Sequence, residues 1–378
     1  MKLFYGHFIH SLSLNELEII NGFMLIDQFG IIVDIQKSID YEKQFEKLMR
    51  INEINEVIIL SKHQFLIPGF IDSHFHAPQI VNLGRGHELT LLDWLNKYTF
   101  PREAEFKDTK YALEIYSNLI KTLLRHGTTT VSFFSTIHLE ATKILADCMM
   151  KFGQRGYVGK VCMDQHSPEY YVETHDDCVR DNIKMIEYLK DSTLVSPIIT
   201  PRFAISCSPK LLLSLGNIAE LYDLPIQSHL SENKNEIEFV NKLFPNLNYT
   251  QVYDEHNLLN NKTIMAHCVH LSDKEIDLFK KRDAGISHCP TSNINLMSGF
   301  LDVKRLLKQD IKIGLGSDVS AGSSCSILNA INDAISVSRV INKENGLNLK
   351  EAFYLATLGN AALMNLENKI GNFGIGKW

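Results

Sequence analysis

The sequence predicts an α/β protein, a (β/α)₈ TIM-type barrel with a small N-terminal β domain. From Phe65 onward, short apolar segments alternate with longer amphipathic stretches, which is the pattern of βα units around a parallel sheet. Before that point, short β patterns are joined by turns. The length of 378 residues suits one barrel-sized domain with a modest appendage.

The N-terminal β domain is expected to span residues 1–64. Residues 22–27 and 31–35 are apolar segments on either side of Gln28-Phe29-Gly30, an arrangement typical of a hairpin. Residues 41–50 are polar and compatible with a helix, and residues 57–60 predict another strand.

The barrel is expected to span residues 65–365. Its eight candidate strands are residues 66–73, 129–134, 156–163, 195–203, 225–229, 263–267, 285–288 and 311–316. Helical patterns lie between them, for example over residues 111–125, 139–152 and 178–189. In this architecture, catalytic side chains collect at the carboxyl ends of the strands.

Composition and charge narrow the classes of partner. Hydrophobic residues make up 45% and charged residues 22% of the chain, an ordinary globular balance. A net charge of −6 argues against nucleic acid or an anionic membrane as the main partner and leaves a small molecule open. The seven cysteines include no CxxC pair, and no stretch reaches membrane-spanning length. We therefore expect a cytoplasmic protein.

Two histidines close the first candidate strand, in residues 68–76 (PGFIDSHFH). Alternate side chains of a strand share a face, so His74 and His76 point the same way while Phe75 points into the opposite layer. Neutral imidazole is the commonest metal ligand in proteins. This spacing alone fits two hydrogen-bonded histidines equally well.

Further polar side chains fall where other candidate strands end. Arg202 closes strand four, His229 closes strand five, His267 closes strand six and Asp318 follows strand eight. Histidines scattered through a core have no reason to fall at these positions, so the pattern favours a functional site. Three histidines and one aspartate suit Zn²⁺ or Fe²⁺ and leave a position for water, whose pKa the cation lowers toward neutrality.

Several segments together resemble the amidohydrolase superfamily and, within it, the guanine deaminase family. Residues 68–76, His229, His267 and Ser317-Asp318 carry the broader resemblance. The narrower one rests on residues 76–79 (HAPQ), 91–101 (LLDWLNKYTFP), 158–164 (VGKVCMD), 200–204 (TPRFA), 227–233 (QSHLSEN) and 287–293 (SHCPTSN). The resemblance extends over nearly the whole chain.

The resemblance implies zinc-hydroxide attack on C2 of guanine, which gives xanthine and ammonia. It implies one metal ion per chain, Zn²⁺ with Fe²⁺ as the alternative, held by His74, His76, His229 and Asp318. Asp318 would also accept a proton from the bound water. Relatives with two metals use a lysine at the end of strand four, where this chain has Thr200-Pro201-Arg202-Phe203.

The resemblance also assigns roles beside the metal. Glu232 would protonate the ring and carry a proton to the leaving amine, as a general acid and base. His267 would stabilise the tetrahedral intermediate electrostatically. Gln79 and Arg202 match family positions that contact the purine edge, and Phe203 would flank the ring. From residue type alone, Arg202 could equally form a salt bridge and Gln79 could cap a loop.

The chain departs from the family pattern at its end. Relatives continue beyond residues 370–377 with strands that return to the N-terminal β domain, whereas this chain stops at Trp378. Residues 366–378 are therefore expected to be only the start of that return, which leaves the β domain C-terminally incomplete. The family also leads us to expect a homodimer.

Two alternatives remain open. One is another amidohydrolase that acts on a different amino-purine, pterin or triazine, and the other is a non-catalytic amidohydrolase-like scaffold. The presence of every expected ligand disfavours the scaffold. His138-Leu139-Glu140 fits the HxE of cytidine-type zinc deaminases, but no Pro-Cys-x-x-Cys follows it, which excludes that class.

Overall fold

The computed structural model describes residues 1–51 and 53–378, and this part of the chain begins with a five-stranded sheet. Its elements are β1 (Lys2–Ser11), β2 (Leu17–Ile26), β3 (Ile32–Lys37), α1 (Tyr41–Ile51), β4 (Glu56–Ile59) and β5 (Phe65–Leu66). The predicted hairpin is present as the antiparallel pair β2 and β3, and the helix predicted over residues 41–50 is present as α1. The first two strands, at ten residues each, are longer than the short β patterns suggested.

Parallel strands dominate the rest of the chain, which makes the protein α/β. They are β6 (Phe70–His76), β7 (Thr128–Phe134), β8 (Arg155–Gly159), β9 (Val161–Cys162), β10 (Val195–Pro197), β11 (Thr200–Pro201), β12 (Ile226–Leu230), β13 (Thr263–His267), β14 (Gly285–His288) and β15 (Lys312–Leu315). The strand order is β6-β7-β8-β10 in one sheet and β12-β13-β14-β15 in another, and β9 pairs with β11. A parallel bridge between Ile199 and Ile226 connects the two sets.

Helices fill the connections between these strands. They are α2 (Leu91–Trp94), α3 (Phe100–Ala104), α4 (Thr109–Arg125), α5 (Leu139–Phe152), α6 (His175–Leu189), α7 (Pro209–Leu221), α8 (Lys234–Leu243), α9 (Tyr249–Asp254), α10 (Asp273–Arg282), α11 (Pro290–Asn295), α12 (Val303–Leu307), α13 (Ile327–Ile341), α14 (Leu349–Ala356) and α15 (Leu358–Leu363). Within residues 1–51 and 53–378, none of the helices combines the length and the apolar character that crossing a membrane requires.

Side-chain caps set where two of the predicted helices begin. The Asp108 carboxylate accepts hydrogen bonds from the amides of Lys110 and Tyr111, so α4 starts two residues before the predicted position. The Thr174 hydroxyl accepts from the Asp177 amide, so α6 starts three residues early. The apolar periodicity begins after the cap, which is why it misplaces both starts. Helix α5 has the predicted bounds.

Strand one differs from its predicted range of residues 66–73. Leu66 belongs to β5, which pairs with β1 in the N-terminal sheet, and β6 begins only at Phe70. Pro68 has no amide hydrogen to donate to a ladder, and a Cβ at Gly69 would meet the Thr129 side chain. The Pro68-Gly69 pair therefore separates the two strands, and the histidines lie within β6 rather than after it.

Predicted strands three and four are each divided into two. Lys160 separates β8 from β9 within residues 156–163, and residues 198–199 separate β10 from β11. Pro197 and Pro201 cannot donate to a ladder, so strand four is not continuous. The apolar run over residues 195–203 predicts one strand although its two prolines mark the interruption, whereas nothing comparable marks the break at Lys160.

Residues 366–378 run back to the N-terminal sheet. The Ile32 amide donates to the Lys377 carbonyl (2.8 Å), and the Gly376 amide donates to the Ile32 carbonyl (2.8 Å). Phe373 packs against Phe8 in the apolar cluster beneath the sheet. Residues 366–378 thus contribute to the apolar core beneath the N-terminal sheet.

Helix α15 carries a buried asparagine that connects the first and last parallel strands. The Asn360 side-chain amide donates to the Ile71 carbonyl of β6 (2.5 Å) and to the Leu315 carbonyl of β15 (2.9 Å). A Cβ at Gly314 would lie 1.7 Å from Asn360 Oδ1, so glycine is required for this close approach. The contact holds β6 and β15 beside each other.

We expect Asn360→Ala to lower the free energy of unfolding by about 2 kcal/mol, because two buried carbonyls lose their donor. The matched control is the exposed Asn332 of α13, whose change to alanine should shift stability by about 0.5 kcal/mol or less. Urea denaturation of both variants measures the difference. Equal effects would show that Asn360 does not connect the strands energetically.

Candidate active site

The side chains at the end of β6 follow the predicted alternation. His74 and His76 face the same region, with ring centroids 5.0 Å apart. Phe75 points the other way and packs edge to face on Phe133 at 5.4 Å. All of these side chains are buried. The sequence prediction of a same-face histidine pair is confirmed.

Two more residues join this pair. His76 Nε2 lies 3.0 Å from His229 Nε2, and His74 Nε2 lies 3.2 Å from Asp318 Oδ1. The donor atoms of His74, His76 and His229 lie within 4.8 Å of one another, as do those of His74, His267 and Asp318. The structure therefore brings together the four side chains that were predicted as metal ligands.

Backbone groups fix the orientation of these ligands. His229 Nδ1 donates to the Arg202 carbonyl (2.6 Å), which leaves its unprotonated Nε2 facing His76. Asp318 adopts a left-handed backbone conformation with φ 47°, and its amide donates to the His74 carbonyl (3.0 Å). Strand β6, which carries His74 and His76, is thus hydrogen-bonded directly to Asp318.

The charge states suit a divalent cation. Burial lowers the pKa of His74, and it lowers the pKa of His76 and His229 well below the usual value, so these imidazoles are neutral. Burial alone would raise the pKa of Asp318, but His74 and its neighbours hold it well below the usual range. One ionised carboxylate among neutral imidazoles, with imidazole nitrogens converging, is a donor set that fits zinc or iron(II).

Glu232 lies beside this cluster, in the turn after β12. Burial raises the pKa of its carboxyl group to about 8, and the charge of Asp318 contributes. The Ser298 hydroxyl donates to Glu232 Oε1 (3.2 Å), while Glu232 Oε2 lies 3.4 Å from His267 Nε2. Near neutral pH, Glu232 therefore carries a proton that it can donate.

A second buried carboxyl group holds this turn. Glu236 Oε2 accepts the amides of Glu232 (2.9 Å) and Asn233 (3.1 Å), which forms a capping box at the start of α8. The Tyr249 hydroxyl donates to Glu236 Oε1 (2.7 Å). Helix capping thus fixes the backbone from which Glu232 projects.

His267 closes β13 with a left-handed backbone conformation, φ 70°. Its Nδ1 donates to Asn293 Oδ1 (2.9 Å), so its Nε2 faces the cluster and lies 3.7 Å from Asp318 Oδ2. Asn293 belongs to the predicted family segment of residues 287–293. That segment therefore acts on the site by orienting a histidine.

A pocket opens onto the cluster. Its lining includes the predicted substrate residues Gln79, Arg202 and Phe203, together with Glu232, His267 and Asp318, and apolar walls from Leu91, Trp94, Leu95 and Leu296. A pocket with mostly apolar walls and a few converging polar groups suits a flat heterocycle.

Glu103 contacts two of the predicted substrate residues and is a residue that the sequence did not suggest. It is 0% exposed and forms a two-point ion pair with Arg202, with Nη1 to Oε2 at 2.6 Å and Nη2 to Oε1 at 3.1 Å. Gln79 Nε2 also donates to Glu103 Oε1 (2.9 Å). An arginine at a buried strand end requires an acidic partner, but with 44 acidic residues that signal does not identify which one.

Known proteins resemble the chain closely. A model of the amidohydrolase family matches residues 65–378. Guanine deaminase of Dictyostelium discoideum is 48% identical, over 100% of this chain and 87% of that protein, and guanine deaminase of Homo sapiens is 45% identical, over 99% and 84%. The crystal structure of guanine deaminase from C. acetobutylicum, with bound guanine in its active site, is 39% identical with a TM-score of 0.92, over 99% of this chain and 88% of that one. The chain belongs to the amidohydrolase family and, within it, to the guanine deaminase family.

Proposed function

We propose that this chain hydrolyses guanine to xanthine and ammonia. The observation that carries the proposal is one pocket that joins two kinds of group. On one side lie His76, His229 and Asp318 with the protonated Glu232, and on the other lie Gln79 and Arg202. Relatives at 45–48% identity are guanine deaminases, which supports guanine as the substrate.

We assign a single metal ion to His74, His76, His229 and Asp318, with zinc favoured and iron(II) as the alternative. When bound, the ion would supply Lewis-acid activation of water near neutral pH. The left-handed turn at Asp318 and the His229 bond to the Arg202 carbonyl preorganise these donors. Their neutral or anionic state removes competition from protons.

Glu232 and Asp318 move the protons of the reaction. As the water oxygen adds to C2 of guanine, Asp318 takes a proton from the water and Glu232 donates its own to the ring nitrogen N3. Glu232 then carries the proton of the new C2 hydroxyl group to the amino nitrogen, which leaves as ammonia. The proton held by Asp318 returns to Glu232, so one water is consumed for each guanine.

His267 stabilises the charge that develops on the attacking oxygen. With Nδ1 held by Asn293, Nε2 is directed into the site, toward Asp318 and Glu232. A donor that is oriented before the reaction needs no rearrangement as the charge forms. Asn293 is thereby the residue that fixes the direction of this donor.

Hydrogen-bond donors of the protein bind the edge of the purine. Arg202 and Gln79 present N–H groups that suit O6 and N7 of guanine, which are both acceptors, and Phe203 supplies an apolar face for the ring. This assignment orients C2 and its amino group toward Glu232 and the metal ligands.

We also propose a (β/α)₈ barrel over residues 65–365 and a small β domain over residues 1–64, which residues 366–378 rejoin. The parallel registers from β6 to β15, the bridge at Ile199 and the Asn360 contact between β6 and β15 support eight strands in a ring, two of them divided. The contacts of Phe373 and Lys377 with the first sheet support the return segment.

Ultraviolet absorbance should follow conversion of guanine to xanthine by the metal-replete protein. We expect a chelator to abolish this conversion and zinc to restore it. Elemental analysis should find one metal ion per chain, because the cluster has a single set of ligands. His74→Ala should lose both metal and turnover, whereas His63→Ala, in an exposed turn, should lose neither. Full turnover by metal-free protein would contradict the assignment.

Glu232→Gln should lower kcat by about 10²–10⁴-fold, because the amide has no proton to shuttle between the ring and the amino nitrogen. The metal content should stay at the wild-type level. Glu238→Gln, on the exposed face of α8, is the matched control and should leave kcat within about twofold. Full activity in Glu232→Gln would remove Glu232 from the proton pathway.

A further inference from the structure

Glu103 contacts both polar residues of the purine side of the pocket and lies behind them. Its carboxylate receives two N–H groups of Arg202 and one of Gln79, and it is 0% exposed. The Tyr171 hydroxyl also hydrogen-bonds to it. All the groups that meet Glu103 are therefore donors, and its two oxygens set where those donors lie.

Helix α3 holds the guanidinium group of Arg202 from two directions. Glu103 binds its edge, and the ring of Phe100, one turn earlier in the same helix, lies 4.9 Å from its centre. Burial alone would lower the pKa of Arg202, but the Glu103 carboxylate more than offsets this and raises it. The guanidinium is thus charged, buried and paired.

Glu103 also determines which way the Gln79 amide points. A carboxylate only accepts hydrogen bonds, so Gln79 must turn its NH₂ group toward Glu103. Gln79 Oε1 then faces the Ser320 amide (3.2 Å). The free N–H bonds of Gln79 and Arg202 remain for the ligand, which gives the pocket a wall of donors without net charge.

We propose that Glu103 is a positioning residue that sets the preference of the pocket for an uncharged purine. This inference rests on the proposed function, because guanine and xanthine differ in charge. Guanine stays neutral in mildly alkaline solution, whereas xanthine loses a ring proton there. An unpaired guanidinium would attract the product anion, and Glu103 cancels that attraction.

The groups that face Glu103 keep their charge across this pH range. Arg202 stays protonated, burial raises the pKa of Tyr116 and Tyr171, and burial lowers the pKa of His138. The pocket carboxyls Glu232 and Glu236 have pKa values of about 8 and about 7. Wild type and Glu103→Gln both contain these two carboxyl groups. The two proteins are therefore compared with each other at the same pH.

Glu103→Gln keeps the shape of the side chain and removes its charge. We expect KM for guanine to rise about tenfold with a smaller change in kcat, because ground-state and transition-state binding are lost together. The ratio of KM for guanine to Ki for xanthine should exceed the wild-type ratio by about tenfold near pH 8.5 and by less near pH 6. Metal content should not change.

Two further variants separate position from charge and from general damage. Tyr171→Phe retains both charges and removes one bond to Glu103, so KM should rise about threefold while the ratio of KM to Ki stays at the wild-type value. Glu105→Gln removes an exposed carboxylate that pairs with Arg102 in the same segment and should change neither constant. If Glu103→Gln does not fold, an unchanged KM in Tyr171→Phe overturns the positioning role.

The outcomes distinguish this inference from the proposed function. Wild-type protein without guanine turnover would contradict the function, and calorimetric binding of xanthine to wild type and Glu103→Gln at both pH values would then test Glu103 alone. Stronger xanthine binding by the variant at the higher pH supports the inference. A ratio of KM to Ki, or a xanthine affinity, that shifts equally at both pH values overturns it.

Discussion

The candidate site depends on the contact between β6 and the segment after β15. Asp72, buried within β6, accepts the amide of Ser317 (3.0 Å) and its hydroxyl group (2.5 Å), and the Asp318 amide donates to the His74 carbonyl. Burial raises the pKa of Asp72 to about 6. These bonds place the only carboxylate of the assigned ligand set against histidines that precede it by more than 200 residues. Together with the Asn360 contact between β6 and β15, they set the distance between the ligands on these two segments.

The pocket has two groups of buried charged side chains, and the two groups differ in net charge. Around the proposed metal, Asp318 is a single negative charge among neutral imidazoles, so the cluster favours a cation. Around the purine edge, Arg202 and Glu103 cancel, so that region favours a neutral ligand rich in acceptors. The protonated Glu232 lines the same pocket and lies beside His267. Ion binding, ring binding and proton transfer are therefore assigned to three adjoining regions of the pocket.

Those parts of the site that follow from a strand's geometry were predictable. The alternation of His74 and His76, and the positions of His229 and His267 at strand ends, follow from periodicity and from the edge that parallel strands share. Glu103 was not predictable, because Arg102, Glu103 and Glu105 look like the solvent face of a helix. Only the fold places one of them against an arginine that lies 99 residues later. Prolines mark the interruptions of predicted strands one and four, whereas no such residue marks the interruption at Lys160, which only the fold reveals.

The substrate is the central claim, and relative specificity tests it most directly. The measurement is kcat/KM of the metal-replete protein for guanine against a panel of other amino-purines, an amino-pterin and an amino-triazine, under identical conditions. The donor-only purine edge and the apolar slot predict the highest value for guanine. A higher value for another amino-heterocycle, or no guanine turnover at full metal occupancy, would contradict the account.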